Sequence, residues 1–160
     1  MSVNKHLAHI FVIPEDDANR QLANGFCLGL SIRQVQVLPV AGGWKHVLEL
    51  FKSDHIGGMN QYPQRYMVLL IDFDGRQDRL ETAKSYIPTH LLERVIVLGV
   101  WTEPETLKEP GQTYESIGQS LARECRDGQN ETWSHDLLRH NEGEIERLNA
   151  QIRPILFPPD

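Results

Sequence analysis

Four short apolar runs, separated by stretches long enough for a helix, constrain this chain more than any other feature. They are His9-Ile10-Phe11-Val12-Ile13, Val35-Gln36-Val37-Leu38-Pro39-Val40, Met67 to Phe73, and Arg94-Val95-Ile96-Val97-Leu98-Gly99-Val100. Runs so rich in Val, Ile and Leu suit strands buried on both faces. Between the first two, Ala18 to Leu30 carries Leu22, Ala23, Phe26 and Cys27 at helical spacing, behind acids that favour a helix start. Trp44 to Lys52 and Asp78 to Tyr86 read as two further helices, the second stopped by Pro88. The order β-α-β-α-β-α-β predicts a mainly parallel, four-stranded α/β sheet with helices on both faces.

Beyond the fourth strand the pattern becomes helical. Tyr114 to Cys125 places Ile117, Leu121, Ala122 and Cys125 on one face. A last helix is expected over Ser134 to Arg147, and the tail from Arg153 to Pro158 reads as an edge strand or a packed coil. Ser53 to Arg65, with Gly57-Gly58 and Pro63, reads as a loop. Residues 1–110 thus form the α/β core, and 111–160 form a helical extension packed on the same domain. Glu142, Glu144 and Glu146 are expected on a solvated face, as are His135, Arg139 and His140. Trp44, Trp101 and Trp133 read as core or interface residues.

With 160 residues the chain can bury a full core. Sixteen Lys and Arg against 22 Asp and Glu give a net charge of −6, which argues against an extended electrostatic grip on nucleic acid. Cys27 and Cys125 stand far apart with no metal-ligand spacing, as reduced thiols of a cytoplasmic protein do. No apolar run reaches the ~18 residues of a membrane helix, and the polar N-terminus does not open a signal peptide, so no membrane contact is expected.

The chemistry-bearing residues gather at the strand exits. Glu15, Asp16 and Asp17 follow the first strand, Asp72 and Asp74 the third, and Glu103 and Glu105 the fourth. Parallel strands deliver their C-terminal ends to one edge, where open α/β sheets bind ligands. Asp72-Phe73-Asp74-Gly75 sets two carboxylates one residue apart on the same face, with a glycine freeing the turn behind them. Clustered carboxylates repel each other unless a cation neutralises them, and oxygen-only ligands favour Mg²⁺ or Mn²⁺ over zinc. Gly42-Gly43, after the second strand, reads as a turn that would also let backbone approach a phosphate.

Glu15 after strand one, Gly42-Gly43 after strand two and Asp72-x-Asp74 after strand three resemble the Toprim domain. That domain occurs in topoisomerases, primases, small RNA-maturing nucleases and OLD-family nucleases. The resemblance covers about Leu7 to Leu107, and Pro104-Glu105-Thr106-Leu107 is similar to the acidic position of the OLD-like branch. It implies a Rossmann-like, Toprim-like fold and Mg²⁺-dependent phosphodiester hydrolysis of nucleic acid. In that scheme Glu15 is general acid/base or metal ligand, Asp72 and Asp74 hold Mg²⁺ (or Mn²⁺), and Glu105 completes a second metal position. The family has glycine directly after its first glutamate, where this chain has Asp16. OLD-like members carry an acid four residues after that glutamate, where this chain has Asn19. These departures point to the alternative of a Toprim-like module that binds metal, a protein partner or a second copy of itself without turnover.

Two other families share parts of the pattern. Leu70-Ile71-Asp72-Phe73-Asp74-Gly75 resembles the first motif of haloacid-dehalogenase-type phosphatases, but Arg76 stands where they carry Thr or Val. Glu15-Asp16-Asp17 resembles the acidic pair of response-regulator receivers. There Asp72 would accept the phosphoryl group, Thr102 would be the switch hydroxyl, and Arg153 is the nearest substitute for the missing lysine.

Overall fold

The computed structural model describes residues 3–102, 104–135, 138 and 141–158. Strands β1 (His9–Pro14), β2 (Val35–Val37), β3 (Arg65–Leu70) and β4 (Val95–Leu98) form one sheet in the order β2-β1-β3-β4. All three pairings are parallel, with Ile10 opposite Val35, Ile13 opposite Leu69, and Val68 opposite Ile96. The α/β architecture and its four-stranded parallel sheet are those the apolar runs predict.

Side-chain alternation splits the core in two. Phe11, Ile13, Met67, Leu69, Val95 and Val97 bury one face against α2 (Trp44–Leu50) and its continuation. Ile10, Val12, Val68, Ile96 and Leu98 bury the other beneath α1 (Asp17–Leu28) and α5 (Tyr114–Asp127). These two helices touch backbone to backbone. A Cβ on Gly25 would lie 2.1 Å from the Glu115 carbonyl oxygen, and one on Gly118 would lie 2.1 Å from that of Leu22. Only glycines permit that approach.

The segment expected as a loop is mostly helical. A π-helical turn, Phe51–His55, carries α2 straight into α3 (Ile56–Gln61), so helical backbone runs to Gln61. The glycine pair misleads because Gly58 does not break the helix. It clears space for Arg65, whose Nη1 would be 2.5 Å from a Cβ there. Helix α4 (Asp78–Ser85) lies where expected, and a 3-10 turn, Thr89–Arg94, leads into β4.

The C-terminal third differs more. The last long helix, α6, spans Glu142–Gln151 rather than starting at Ser134, and the tail forms a short helix, α7 (Arg153–Leu156), rather than a strand. Asp136, Leu137, Arg139 and His140 lie outside the described residues, as does Glu103.

Glu144 also departs from expectation: it is 2 % exposed rather than solvated. Its Oε1 accepts the Val97 N–H at 3.0 Å, on the free edge of β4, and Lys84 and Arg147 pair with its carboxylate at 3.1 and 2.9 Å. Asn141 continues the cover, accepting from the Gly99 N–H at 3.2 Å and donating to the Gly99 carbonyl at 2.9 Å. A charge can be buried there because a ladder N–H and two cations surround it.

Candidate functional site

The site begins where the β1–β3 ladder runs out of backbone acceptors. The Glu15 N–H still donates to the Leu70 carbonyl at 2.9 Å. The next donor on β3, the Asp72 N–H, finds the Glu15 side chain instead, with Oε2 at 2.5 Å. Glu15 therefore extends the sheet by one hydrogen bond with its own carboxylate. The β2–α2 turn docks on the same point, through Ala41 N–H to the Pro14 carbonyl at 3.0 Å and Gly42 N–H to the Glu15 carbonyl at 2.9 Å. Gly42 and Gly43 have φ of 86° and 148°, so this pair makes a turn that side-chain-bearing residues would strain.

Asp16 caps α1, accepting from the Asn19 N–H at 3.0 Å. Asn19 is 1 % exposed. Its side-chain Nδ2 donates to Asp16 Oδ1 at 3.0 Å and to Asp72 Oδ1 at 3.2 Å. The two N–H groups of this one amide tie two carboxylates together.

The acids pay for this crowding in their ionisation. Asp72 is pushed up to about 7, chiefly by burial, with Glu15 and Asp16 adding repulsion and the Asn19 hydrogen bond opposing. Burial likewise raises Glu15, with the Asp72 N–H opposing and Asp16 adding to the rise. Tyr114, in the first turn of α5, has its phenol raised by burial and then by the charges of Glu105, Asp16 and Asp72. Glu105 stands exposed on a 3-10 turn (Pro104–Leu107).

Asp74 has a different environment. Its φ of 49° ends the extended backbone, so the alternation that would place it on one face with Asp72 stops there. Asp74 Oδ2 pairs with Arg79 Nη2 at 2.9 Å, and its side chain is 59 % exposed. Arg79 also donates from Nη1 to the Asp72 carbonyl at 2.7 Å and stacks on the Trp44 ring at 4.5 Å. One guanidinium thereby holds the whole turn.

The structure brings Glu15, Asp16, Asp72 and Asn19 together, sets Asp74 beside them on Arg79, and leaves Glu105 exposed on its own turn. Among the described residues, no group of three or more His, Cys, Asp or Glu side chains is close enough to hold a metal ion as it stands. The donor chemistry nevertheless fits a hard cation. The donor atoms gathered at this edge are carboxylate oxygens, the ligands a hard cation takes. Arg153, the cation that a receiver-like site would need, donates to the Arg126 carbonyl at 3.0 Å. That contact lies at the far end of α5 from Tyr114, roughly 18 Å away at 1.5 Å per residue.

Sequence reasoning missed Arg79 and Tyr114. Arg79 carried a signal: it is the second residue of α4, and a cation in a first helical turn opposes the helix dipole. Such a residue is there for another partner.

No protein-family model matches this sequence, and no curated protein or solved structure matches it significantly. Among the described residues no helix is long and apolar enough to cross a membrane.

Proposed function

We propose that this chain is a Toprim-like hydrolase of nucleic-acid phosphodiesters that works with Mg²⁺ or Mn²⁺. The observation that carries the reading is the half-buried Asp72 carboxyl, set beside Glu15 and Asp16 at the C-terminal edge of a parallel sheet. Asp72, Asp16 and Glu15 would close on the cation, and the Toprim resemblance adds Asp74 and Glu105 as candidate ligands. A divalent cation bound by these oxygens would polarise a phosphoryl oxygen and lower the pKa of a water molecule. The chain itself contributes the rest. Asp72, half-protonated near neutral pH, can hold or release a proton at its Oδ atoms. Arg79, fixed by Asp74 and the Asp72 carbonyl, keeps a cation beside the acids to attract a phosphate.

Labelled single- and double-stranded DNA and RNA, incubated with the chain and either metal, test the reading. Metal-dependent cleavage is expected, and Asp72→Asn should lower it roughly 100-fold or more, the scale of lost acid–base catalysis. Cleavage that survives in Asp72→Asn, or none with either metal, removes the hydrolase.

A second reading, a metal- or partner-binding module without turnover, is favoured by one observation: the Asn19 amide occupies the space between Asp16 and Asp72. A cation must displace it. Calorimetry that finds Mn²⁺ binding without cleavage would select this reading.

A further inference from the structure

On the sheet face covered by α1 and α5 the core is incompletely filled. A cavity of about 120 Å³ lies there, and its wall is almost wholly apolar. Ala23 and Cys27 of α1 form one side, Leu121 of α5 and Trp133 another, and the cavity reaches Leu70 and Val100 at the C-terminal edge of the sheet. Asn19 forms part of the wall at that end. Its amide hydrogens are committed to Asp16 and Asp72, and the side chain of Asn141, also on the wall, is committed to Gly99 and the Leu138 carbonyl. Protein interiors seldom keep voids much larger than a water molecule. Water is not a natural occupant, because it needs two to four polar partners that this wall does not offer.

We propose that this cavity is a binding site for the uncharged apolar part of a small ligand, an aromatic ring or a compact aliphatic group of about six carbons. The size follows from the volume, since a dry apolar cavity of about 150 Å³ is known to accept benzene or xenon. The wall excludes charged groups, because no side chain on it would compensate a buried charge. The position follows from the fold: ligands of open α/β sheets lodge at the carboxyl ends of the strands, and this cavity reaches that edge at Leu70 and Val100. A ligand seated here touches Asn19 from below while Asp16 and Asp72 hold it from above. Occupancy is therefore sensed by the amide that links the two acids.

Benzene is the probe. Titrated into the full chain, it should bind saturably by calorimetry, raise the unfolding temperature, and shift the Asn19 side-chain amide resonances, with no metal or nucleic acid present. Glycerol, of similar size but polar, should do none of these. Ala23→Met and Cys27→Met each fill the space from α1 and should weaken benzene binding at least about tenfold. Cys27→Met serves if Ala23→Met fails to fold. No saturable binding up to the solubility of benzene, or equal binding by a folded filled variant, overturns the proposal. Neither readout depends on phosphodiester cleavage, so this site and the proposed hydrolase stand or fall separately.

Discussion

Where the strands begin, Arg65 is 5 % exposed; where they finish, Asp72 is pressed among other acids. Each end of the sheet thus draws an ionisable group away from water without an opposite charge bonded to it, wholly for Arg65 and partly for Asp72. At the first, Arg65 lies between the rings of Phe11 and Tyr62, 4.2 and 4.7 Å from their centroids, and its Nε donates to His9 Nε2 at 3.0 Å. That bond makes Nδ1 the protonated nitrogen of His9, which donates to the Leu7 carbonyl at 2.8 Å. Burial lowers the His9 pKa, the Leu7 hydrogen bond opposes this, and the charges of Arg65 and Lys5 add to the fall. A guanidinium is planar and weakly hydrated, and aromatic faces offer it negative potential. A carboxylate has no such recourse. It needs N–H donors or a cation, and the Asn19 amide supplies only part of that. The end that satisfied its charge is architecture, and the end that did not is where we place the chemistry.

The largest effect should come from Arg65→Lys. It keeps the charge but loses the planar stack and the Nε–H, leaving a strongly hydrated ammonium buried beside His9. Denaturant unfolding should show a loss of about 3 kcal/mol. A loss under ~0.5 kcal/mol, no more than a surface substitution causes, would mean that the rings do not hold the cation.

A smaller effect should separate the acidic end. With its folded pKa about 7 against an ordinary 3.8, Asp72 binds its proton more tightly in the folded state. The resulting stability is fully present below pH 3.8 and is lost as pH rises through about 7. Asp72→Asn should remove that slope and leave the chain about 2 kcal/mol more stable at pH 8. That is half the full linkage value, because the side chain is partly solvated and screened. Thermal melts of both proteins from pH 4 to 8, without divalent cations, measure this; parallel curves would show that Asp72 ionises freely.

The smallest effect belongs to Asp74→Asn. Its ion pair with Arg79 is largely exposed, so chemical denaturation should register less than about 0.5 kcal/mol. A larger loss would show that the Arg79 clamp, rather than the Glu15 and Asn19 bonds, holds the turn.

The strands were legible because continuous apolar runs report burial on both faces, whatever the partners. Their order brought Glu15 and Asp72 to one edge before any distance was known. What stayed hidden depended on tertiary neighbours. Gly58 reads as a breaker until Arg65 is seen behind it, and Glu144 reads as solvated until the β4 edge presents the Val97 N–H. Asp74 looked like a partner of Asp72 because alternation assumes an extended chain, and a φ of 49° ends it. Asn19 stood out only as a departure from the Toprim pattern, and its position between two carboxylates gives that departure a structural role.

The cover that Asn141 and Glu144 place over β4 has a consequence for assembly. A bare outer strand offers its N–H and C=O groups to any extended segment that drifts alongside, including the same strand of another molecule. Here the Val97 and Gly99 amides are already taken, by side chains on a helix that cannot itself pair as a strand. A chain shortened before Asn141 would uncover both amides beside Val95 and Ile96, a β-branched pair well suited to sticking. Helix α6 and its N-cap residue thus act as a stopper on the outer edge of β4.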